Sequence, residues 1–263
     1  MQAHRLGATM GLTWIREGFA LFRRQPFSLI SLALGIMVIS TLCTMLPIPG
    51  VPALLIVTPG LSCAFMYACR TIEAGQFARP GLLFAAFREP APRTRTMLKL
   101  GLTYLLMLMA GSFLLALLWM QFDGGAMKAA VEASAADPAA VPVQLAPAFY
   151  PLSIAVVGLW LLVTVLLWFA PVLIAWHGLN LRKAVFFSVV AIFRSLPALV
   201  VFAIIVGLVT AAIGAVLDVV IESLALPEPW RSLLAVPVIG AWTSIASCSV
   251  YSSYRHAFSF DAS

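Results

Sequence analysis

The sequence predicts an all-α polytopic membrane protein with six transmembrane helices. Of its 263 residues, 62% are hydrophobic and only 10% are charged, whereas soluble domains carry roughly 25% charged residues. A water-soluble fold has no means of covering so much apolar surface, so a bilayer is the expected solvent. The charged residues lie in short clusters between long apolar runs, which is the pattern that encodes membrane topology.

Six apolar runs are long enough to cross the roughly 30 Å hydrocarbon core of a bilayer as helices. We expect them to belong to a single transmembrane domain, residues 1–263, with no charged residue at the centre of any span. The predicted spans cover about residues 27–46, 51–69, 98–122, 151–176, 197–217 and 233–254.

Three stretches outside the spans combine basic and apolar residues at helical spacing, at about 10–25, 80–88 and 181–196. We expect amphipathic helices that lie on the membrane surface, with Trp14 at the level of the lipid headgroups. The alternative for the first of them is a helix packed on other parts of the protein. The segment 123–150, rich in Ala, Pro and acidic residues, is expected to be an exposed external loop.

The distribution of basic residues predicts the orientation in the membrane. If six spans place both termini on one side, the other side carries only Lys128 and Arg231 of the sixteen Lys and Arg residues. Cytoplasmic loops carry an excess of Lys and Arg, so both termini are expected in the cytoplasm. The net charge of +6 is explained in this way, and nucleic acid is rejected as a partner.

A short motif, A-x-F-R-x-x-P, precedes spans 1 and 5, at residues 20–26 and 191–197, and a looser copy precedes span 3 at 85–90. We therefore expect three repeats, each an interfacial helix followed by a two-span hairpin. The proline suits the first turn of a helix, so one interpretation is a device that ends a surface helix and begins a span. The sharper interpretation is that Arg23, Arg88 and Arg194 bind lipid phosphate at the cytoplasmic surface.

The second span of each expected repeat contains a proline: Pro59, Pro171 and Pro237. Proline within a transmembrane helix frees a backbone carbonyl and favours a kink at a packed interface. Kinks at these three positions are candidate gates for a transport path.

The sequence contains no signature of nucleotide, metal or nucleophilic chemistry. We interpret the four cysteines as apolar packing residues and His177 as an interfacial histidine, with a proton-transfer role as the alternative. Asp218 and Glu222 form the acidic cap of a helix or a shallow cation-attracting patch. We therefore expect no catalytic residue, metal or cofactor, and the absence of charge within the spans argues against an ion-coupled transporter.

The chain resembles a family of uncharacterised multi-spanning bacterial inner-membrane proteins known mostly from Burkholderia and its relatives. The resemblance rests on G-L-T-W-I-R-E-G-F at 11–19, F-R-R-Q-P at 22–26, P-G-L-S at 59–62 and F-A-P-V at 169–172. It implies a location in the bacterial inner membrane and brings no catalytic residues. More distantly, the layout is similar to the membrane domain fused to some glycerophosphodiester phosphodiesterases, whose activity is not carried over.

These observations favour a non-enzymatic inner-membrane protein that interacts with lipids or acts as a scaffold. Anionic headgroups on the cytoplasmic side are the expected partners, and the oligomeric state is left open. The alternative is a transporter or channel for a small or amphipathic solute, gated at the proline kinks. A polar cavity near the middle of the bilayer would favour that alternative, and a solidly packed core would argue against it.

Overall fold

The computed structural model describes residues 2–3, 6–46, 49–122, 125, 146–224 and 227–259, except for the side chains of 2–3, 146–149, 228–229 and 259. Most of the expected external loop, 123–150, lies outside them. The described chain is almost wholly helical, and the all-α prediction is confirmed. Its α-helices are α1 Met10–Arg24, α2 Pro26–Met45, α3 Gly50–Glu73, α4 Ala91–Phe122, α5 Ala146–Leu166, α6 Ala170–His177, α7 Leu181–Arg194, α8 Leu196–Ser223 and α9 Glu228–Ala257.

The described chain also contains three smaller elements. A 3-10 helix, Pro80–Phe87, precedes α4. Two-residue strands at the ends of the chain, β1 Gln2–Ala3 and β2 Phe258–Ser259, pair in antiparallel fashion.

Within the described residues, six helical segments are long and apolar enough to cross a membrane. They are Pro26–Met45, Gly50–Glu73, Ala91–Phe122, Tyr150–His177, Leu196–Ser223 and Trp230–Ala257. α4 starts at Ala91 rather than near residue 98, so the basic residues 93–99 form its first turns instead of a loop.

The fourth span, expected over about 151–176, covers Tyr150–His177, but its helix is interrupted just before Pro171, where a kink was expected. α5 ends at Leu166 and α6 begins at Ala170, because Pro171 lacks an N–H and its ring is incompatible with a continuous helix through the preceding turn. Ser188 of α7 bridges the interruption: its hydroxyl donates to the Leu166 carbonyl at 2.8 Å and accepts from the Phe169 N–H at 3.1 Å. The backbone groups freed by the break are thus paired within the protein, as a membrane requires.

Helix α1 packs against protein along one face. Gly11 and Gly18 let α8 and α9 approach closely, since an added Cβ would overlap backbone at Ala198 and Ser249. Trp14 lies between them, is 0% exposed and stacks edge-on against Phe202 at 6.0 Å. Trp14 is therefore covered by protein, which supports the alternative of a helix packed on other parts of the protein. Phe19, on another face of the helix, is 47% exposed.

Helix α3 is the central element of the bundle. It contacts α2, α4, α6, α9 and the 3-10 helix, and its residues from Pro59 to Cys69 are mostly buried. Gly101 of α4 lies against the α3 backbone at Ile56 so closely that a Cβ there would overlap the Ile56 carbonyl. Cys69 and Cys248 are buried with their Sγ atoms 3.1 Å apart, and both are free thiols.

Both copies of the A-x-F-R-x-x-P motif and the looser copy at 85–90 lie where one helix ends and the next begins. Pro26 and Pro197 occupy the first turns of α2 and α8, and Pro90 directly precedes α4. Gln25 of the first copy donates to the Gln76 carbonyl at 2.8 Å and accepts from the Ala78 N–H at 2.9 Å. These bonds join the α1–α2 junction to the segment after α3.

Candidate functional site

The last turns of α3, α6 and α9 converge on a pocket of about 530 Å³, which we call the Trp176 pocket. These three helices come from distant parts of the chain, and each ends with basic residues. The residues that line the pocket are Arg70, Trp176, His177, Tyr251, Tyr254, Arg255 and Phe258.

Trp176 is the aromatic centre of this pocket. The rings of Tyr67, Tyr251 and Tyr254 meet its indole edge-on, with centroids 5.8, 6.3 and 5.3 Å away. The guanidinium of Arg70 lies over the indole face, 5.0 Å from the ring centroid, where the ring quadrupole attracts a cation. The arrangement fixes the arginine at the rim without neutralising it.

The charges around the pocket are unevenly compensated. Arg255 pairs with Glu73, which also accepts from the Tyr251 hydroxyl at 2.6 Å. Arg93 pairs with Glu89 at 3.0 Å and donates to the Ala175 carbonyl at the end of α6. Within the described chain, no carboxylate lies at ion-pair distance from Arg70. The pocket therefore carries an excess of positive charge at Arg70.

His177 extends the polar side of the pocket. Its Nε2 lies 2.7 Å from the Tyr254 hydroxyl, which agrees with an interfacial histidine that has a hydrogen-bond partner. Gly178 follows in the left-handed conformation (φ 61°) and ends α6, as is usual after a helix C-terminus.

A structural role explains part of this cluster. Cations in the last turn of a helix are stabilised by the partial negative charge of its C-terminus, and Arg70 and Arg255 occupy such turns. The helix dipole does not account for the open volume beside them or for the stacking of Arg70 on Trp176. Those two features make the pocket a candidate binding site.

A second cavity, of about 210 Å³, lies between α3, α4, the α5–α6 interruption and α9. We call it the proline cavity, because Pro59 and Pro171 line it together with Trp168, Tyr104 and other residues of these helices. Its position matches the level at which proline kinks were expected. Pro237 is exposed on α9 and is not part of its lining.

The three arginines predicted to contact lipid are all exposed, and none of them lines the Trp176 pocket. Arg23 lies over the Phe19 ring at 6.0 Å, and Arg88 borders a shallow depression beside Arg79 and Glu89. The backbone carbonyl of Arg194 accepts from the Leu6 N–H at 3.4 Å. The structure therefore distributes these arginines along the surface instead of gathering them into one site.

The other candidate groups occupy peripheral or packed positions. Asp218 and Glu222 are exposed near the end of α8. In the part of the chain that the structure describes, no group of three His, Cys, Asp or Glu side chains is placed to hold a metal ion.

A probable inner membrane protein of Burkholderia thailandensis is 30% identical to this chain over 259 residues, covering 98% of the chain and 94% of that protein. The chain belongs to the same family of inner membrane proteins. Together with the six apolar helices, this family membership places the protein in the bacterial inner membrane as an integral protein. No protein-family model and no solved structure matches the chain.

In this inner-membrane protein, sequence reasoning missed the Trp176 pocket. Arg70 and Arg255 are among the basic residues that predict the orientation, and Trp176 lies at the end of the fourth expected span, so neither pattern alone indicates a pocket. A usable signal was present: the second, fourth and sixth spans all end with an aromatic residue closely followed by a base, as in Tyr67 and Arg70, Trp176-His177, and Tyr254-Arg255. Three such pairs at one end of a bundle indicate a shared basic, aromatic site.

Proposed function

We propose that this inner membrane protein is a non-enzymatic lipid-interacting protein, and that it holds an anionic lipid headgroup in the Trp176 pocket on the cytoplasmic side. The observation that carries the proposal is Arg70, stacked on Trp176 at the rim of an open pocket with no carboxylate partner in the described chain. A planar guanidinium matches the geometry of phosphate oxygens and can donate two parallel hydrogen bonds.

The surroundings of Arg70 suit a headgroup better than a free polar solute. Tryptophan and tyrosine prefer the level of the lipid headgroups, where one edge of the ring is wet and the rest is apolar. Trp176, Tyr251 and Tyr254 line the pocket and offer such a boundary. The exposed Arg23, Arg88 and Arg194 add a basic surface that attracts anionic lipids more weakly.

The orientation and the repeats belong to the same proposal. Both termini lie in the cytoplasm, because basic residues gather at the end of the bundle that carries the Trp176 pocket. The three hairpins, each preceded by a shorter helix, act as repeated units that scaffold this face. A distant kinship with the membrane domain fused to glycerophosphodiester phosphodiesterases is consistent with such an arrangement.

The Arg70→Gln variant tests the headgroup site. We expect its retention of phosphatidylglycerol, measured by native mass spectrometry of the purified protein, to fall roughly tenfold, since a hydrogen bond to a charged group is worth about 1.5–3 kcal/mol. Arg70→Lys keeps the charge but loses the planar fork, and should retain an intermediate amount. The matched control is Arg95→Gln, which removes an exposed arginine from α4 outside the pocket.

Three outcomes are informative. Loss in Arg70→Gln but not in Arg95→Gln supports the pocket. Equal loss in both variants assigns lipid retention to general surface charge and overturns the site. Loss only when Arg23, Arg88 and Arg194 are replaced together transfers the function to the repeated motif.

A transporter or channel for an amphipathic solute is the second candidate, because the proline cavity lies at the level of Pro59 and Pro171, although its lining is mostly apolar and not polar as a transport path predicts. It is tested with Ser62→Cys, which places a thiol in the cavity lining, in a background without the four native cysteines. Under the lipid proposal, a membrane-impermeant thiol reagent applied to either side leaves this cysteine unlabelled. Labelling from both sides in turn would instead reveal a hydrated path and favour transport.

A further inference from the structure

We infer that the proline cavity holds a segment of one acyl chain of the lipid whose headgroup binds in the Trp176 pocket. This inference rests on the proposed function and names the ligand class more closely: a phospholipid with an anionic headgroup and a long acyl chain. It follows from the chemistry of the lining, the alignment of the two sites and the size of the cavity.

The lining of the proline cavity is effectively apolar, although several hydroxyl groups face it. Thr58 donates to the Leu54 carbonyl at 2.7 Å, and Ser62 donates to the Pro59 carbonyl at 2.8 Å. The hydroxyls of Tyr104 and Thr164 bond to each other at 3.0 Å. The rest of the lining is mostly carbon, although the buried indole N–H of Trp168 has no hydrogen-bond partner in the described chain, and a buried water needs two to four polar partners. An apolar occupant therefore fits this lining better than water or a polar solute.

The two sites are stacked along the same three helices. Met66, Val172 and Val250 line the proline cavity, and Arg70, Trp176 and Tyr254 line the Trp176 pocket. On each helix the paired residues are four positions apart, which is about 6 Å along the axis. A lipid with its phosphate at Arg70 thus has the cavity directly below it, in the direction in which its chains enter the bilayer.

The size and position of the cavity suit part of a chain. An engineered apolar cavity of about 150 Å³ binds benzene, so a cavity of about 210 Å³ takes a somewhat larger apolar group. Pro59 lies fourteen residues before the end of α3 at Glu73, which corresponds to about 20 Å of helix. The cavity therefore extends to the depth of the hydrocarbon core, and the rest of the chain leaves through its partly open side.

The experiment compares two lipids that share a headgroup. Dioleoyl and dihexanoyl phosphatidylglycerol compete for the purified full-length protein, and native mass spectrometry measures the ratio retained. Ser247→Phe fills the cavity with a ring, and Ser247→Ala is the matched control. We expect Ser247→Phe to reduce the preference for the long chain by about tenfold, because roughly two methylene groups of the lipid are then no longer buried. The preference for phosphatidylglycerol over phosphatidylcholine should persist.

A second measurement needs no cavity variant. Phosphatidylglycerol with brominated chains should quench the fluorescence of Trp168, taken as the difference between wild type and Trp168→Phe, more than brominated phosphatidylcholine does. Arg70→Gln should remove that difference between the two lipids.

The outcomes separate the inference from the proposed function. An unchanged chain preference in Ser247→Phe, together with equal quenching of Trp168 by both lipids, would overturn the acyl-chain site. If Arg70→Gln still abolishes the headgroup preference in that case, the headgroup site stands without it. If no variant changes either the headgroup preference or the chain-length preference, both the headgroup site and the acyl-chain site are overturned.

Discussion

Replacing Gly101 with alanine should strongly destabilise the protein, although alanine is the better helix former. A Cβ at this position overlaps the carbonyl of Ile56, and the obstacle is backbone, which cannot rotate away. α3 and α4 must therefore separate along their crossing. Overpacking typically costs about 1–3 kcal/mol, and we expect a value at or above the upper limit.

Gly207→Ala is the matched control for this prediction. Gly207 also lies within a helix, α8, but an added Cβ would meet nothing within 4 Å. Alanine should be neutral or stabilising there by about 1 kcal/mol, its advantage over glycine in helix propensity. Gly101→Ala is thus expected to lower the free energy of unfolding, and Gly207→Ala to leave it unchanged or raise it.

Thermal unfolding in detergent, followed with a thiol-reactive dye, measures both variants. Cys63, Cys69 and Cys248 are buried, so the dye reports when the bundle opens. Equal midpoints for Gly101→Ala and Gly207→Ala would show that α3 and α4 do not cross as closely as described.

Replacing Trp176 with alanine should have the next largest effect, on both stability and lipid retention. The indole contacts three tyrosine rings and carries the Arg70 guanidinium, so its removal takes away the common contact of α3, α6 and α9. Truncation of a core tryptophan costs about 3–5 kcal/mol. Because Trp176 is half-buried, the lower end of that range applies.

The lipid effect follows from the same contact. Without the indole face, Arg70 is free to adopt many conformations, and phosphatidylglycerol retention should fall toward the level of Arg70→Gln. Trp160→Ala is the control, since Trp160 is 46% exposed on α5. Trp176→Phe keeps a ring and should recover part of both properties. If the midpoint of thermal unfolding of Trp176→Ala equals the midpoints of Trp160→Ala and wild type, the aromatic cluster does not stabilise the bundle.

The approximate positions of the six spans could be predicted because their signals are local. Proline and glycine mark most boundaries, and uninterrupted apolar runs of span length leave few alternatives. α2 and the start of α8 lie within one residue of the positions expected from sequence. The six helical segments followed from composition and length alone.

Features that depend on distant partners could not be predicted in the same way. Pro171 can be recognised in the sequence as a helix breaker. The side chain that pairs the backbone groups of the resulting interruption, however, is Ser188, on another helix. Trp14 is buried because α8 and α9 pack closely against Gly11 and Gly18. The amphipathic pattern of one helix does not reveal which of its faces other helices will cover. The Trp176 pocket joins residues more than 170 positions apart, so none of the local motifs contains it.

The hydroxyl of Ser188 has a mechanical consequence. It is fully buried and joins both sides of the interruption between α5 and α6 to α7. Drawing α7 away from the bundle would strand two backbone groups in a medium that offers them no substitute. Force applied to α7, such as lateral tension in the bilayer, therefore reaches the start of α6 through this side chain as well as through the packing between the two helices. That short helix carries Pro171 of the proline cavity at its start and Trp176 near its end.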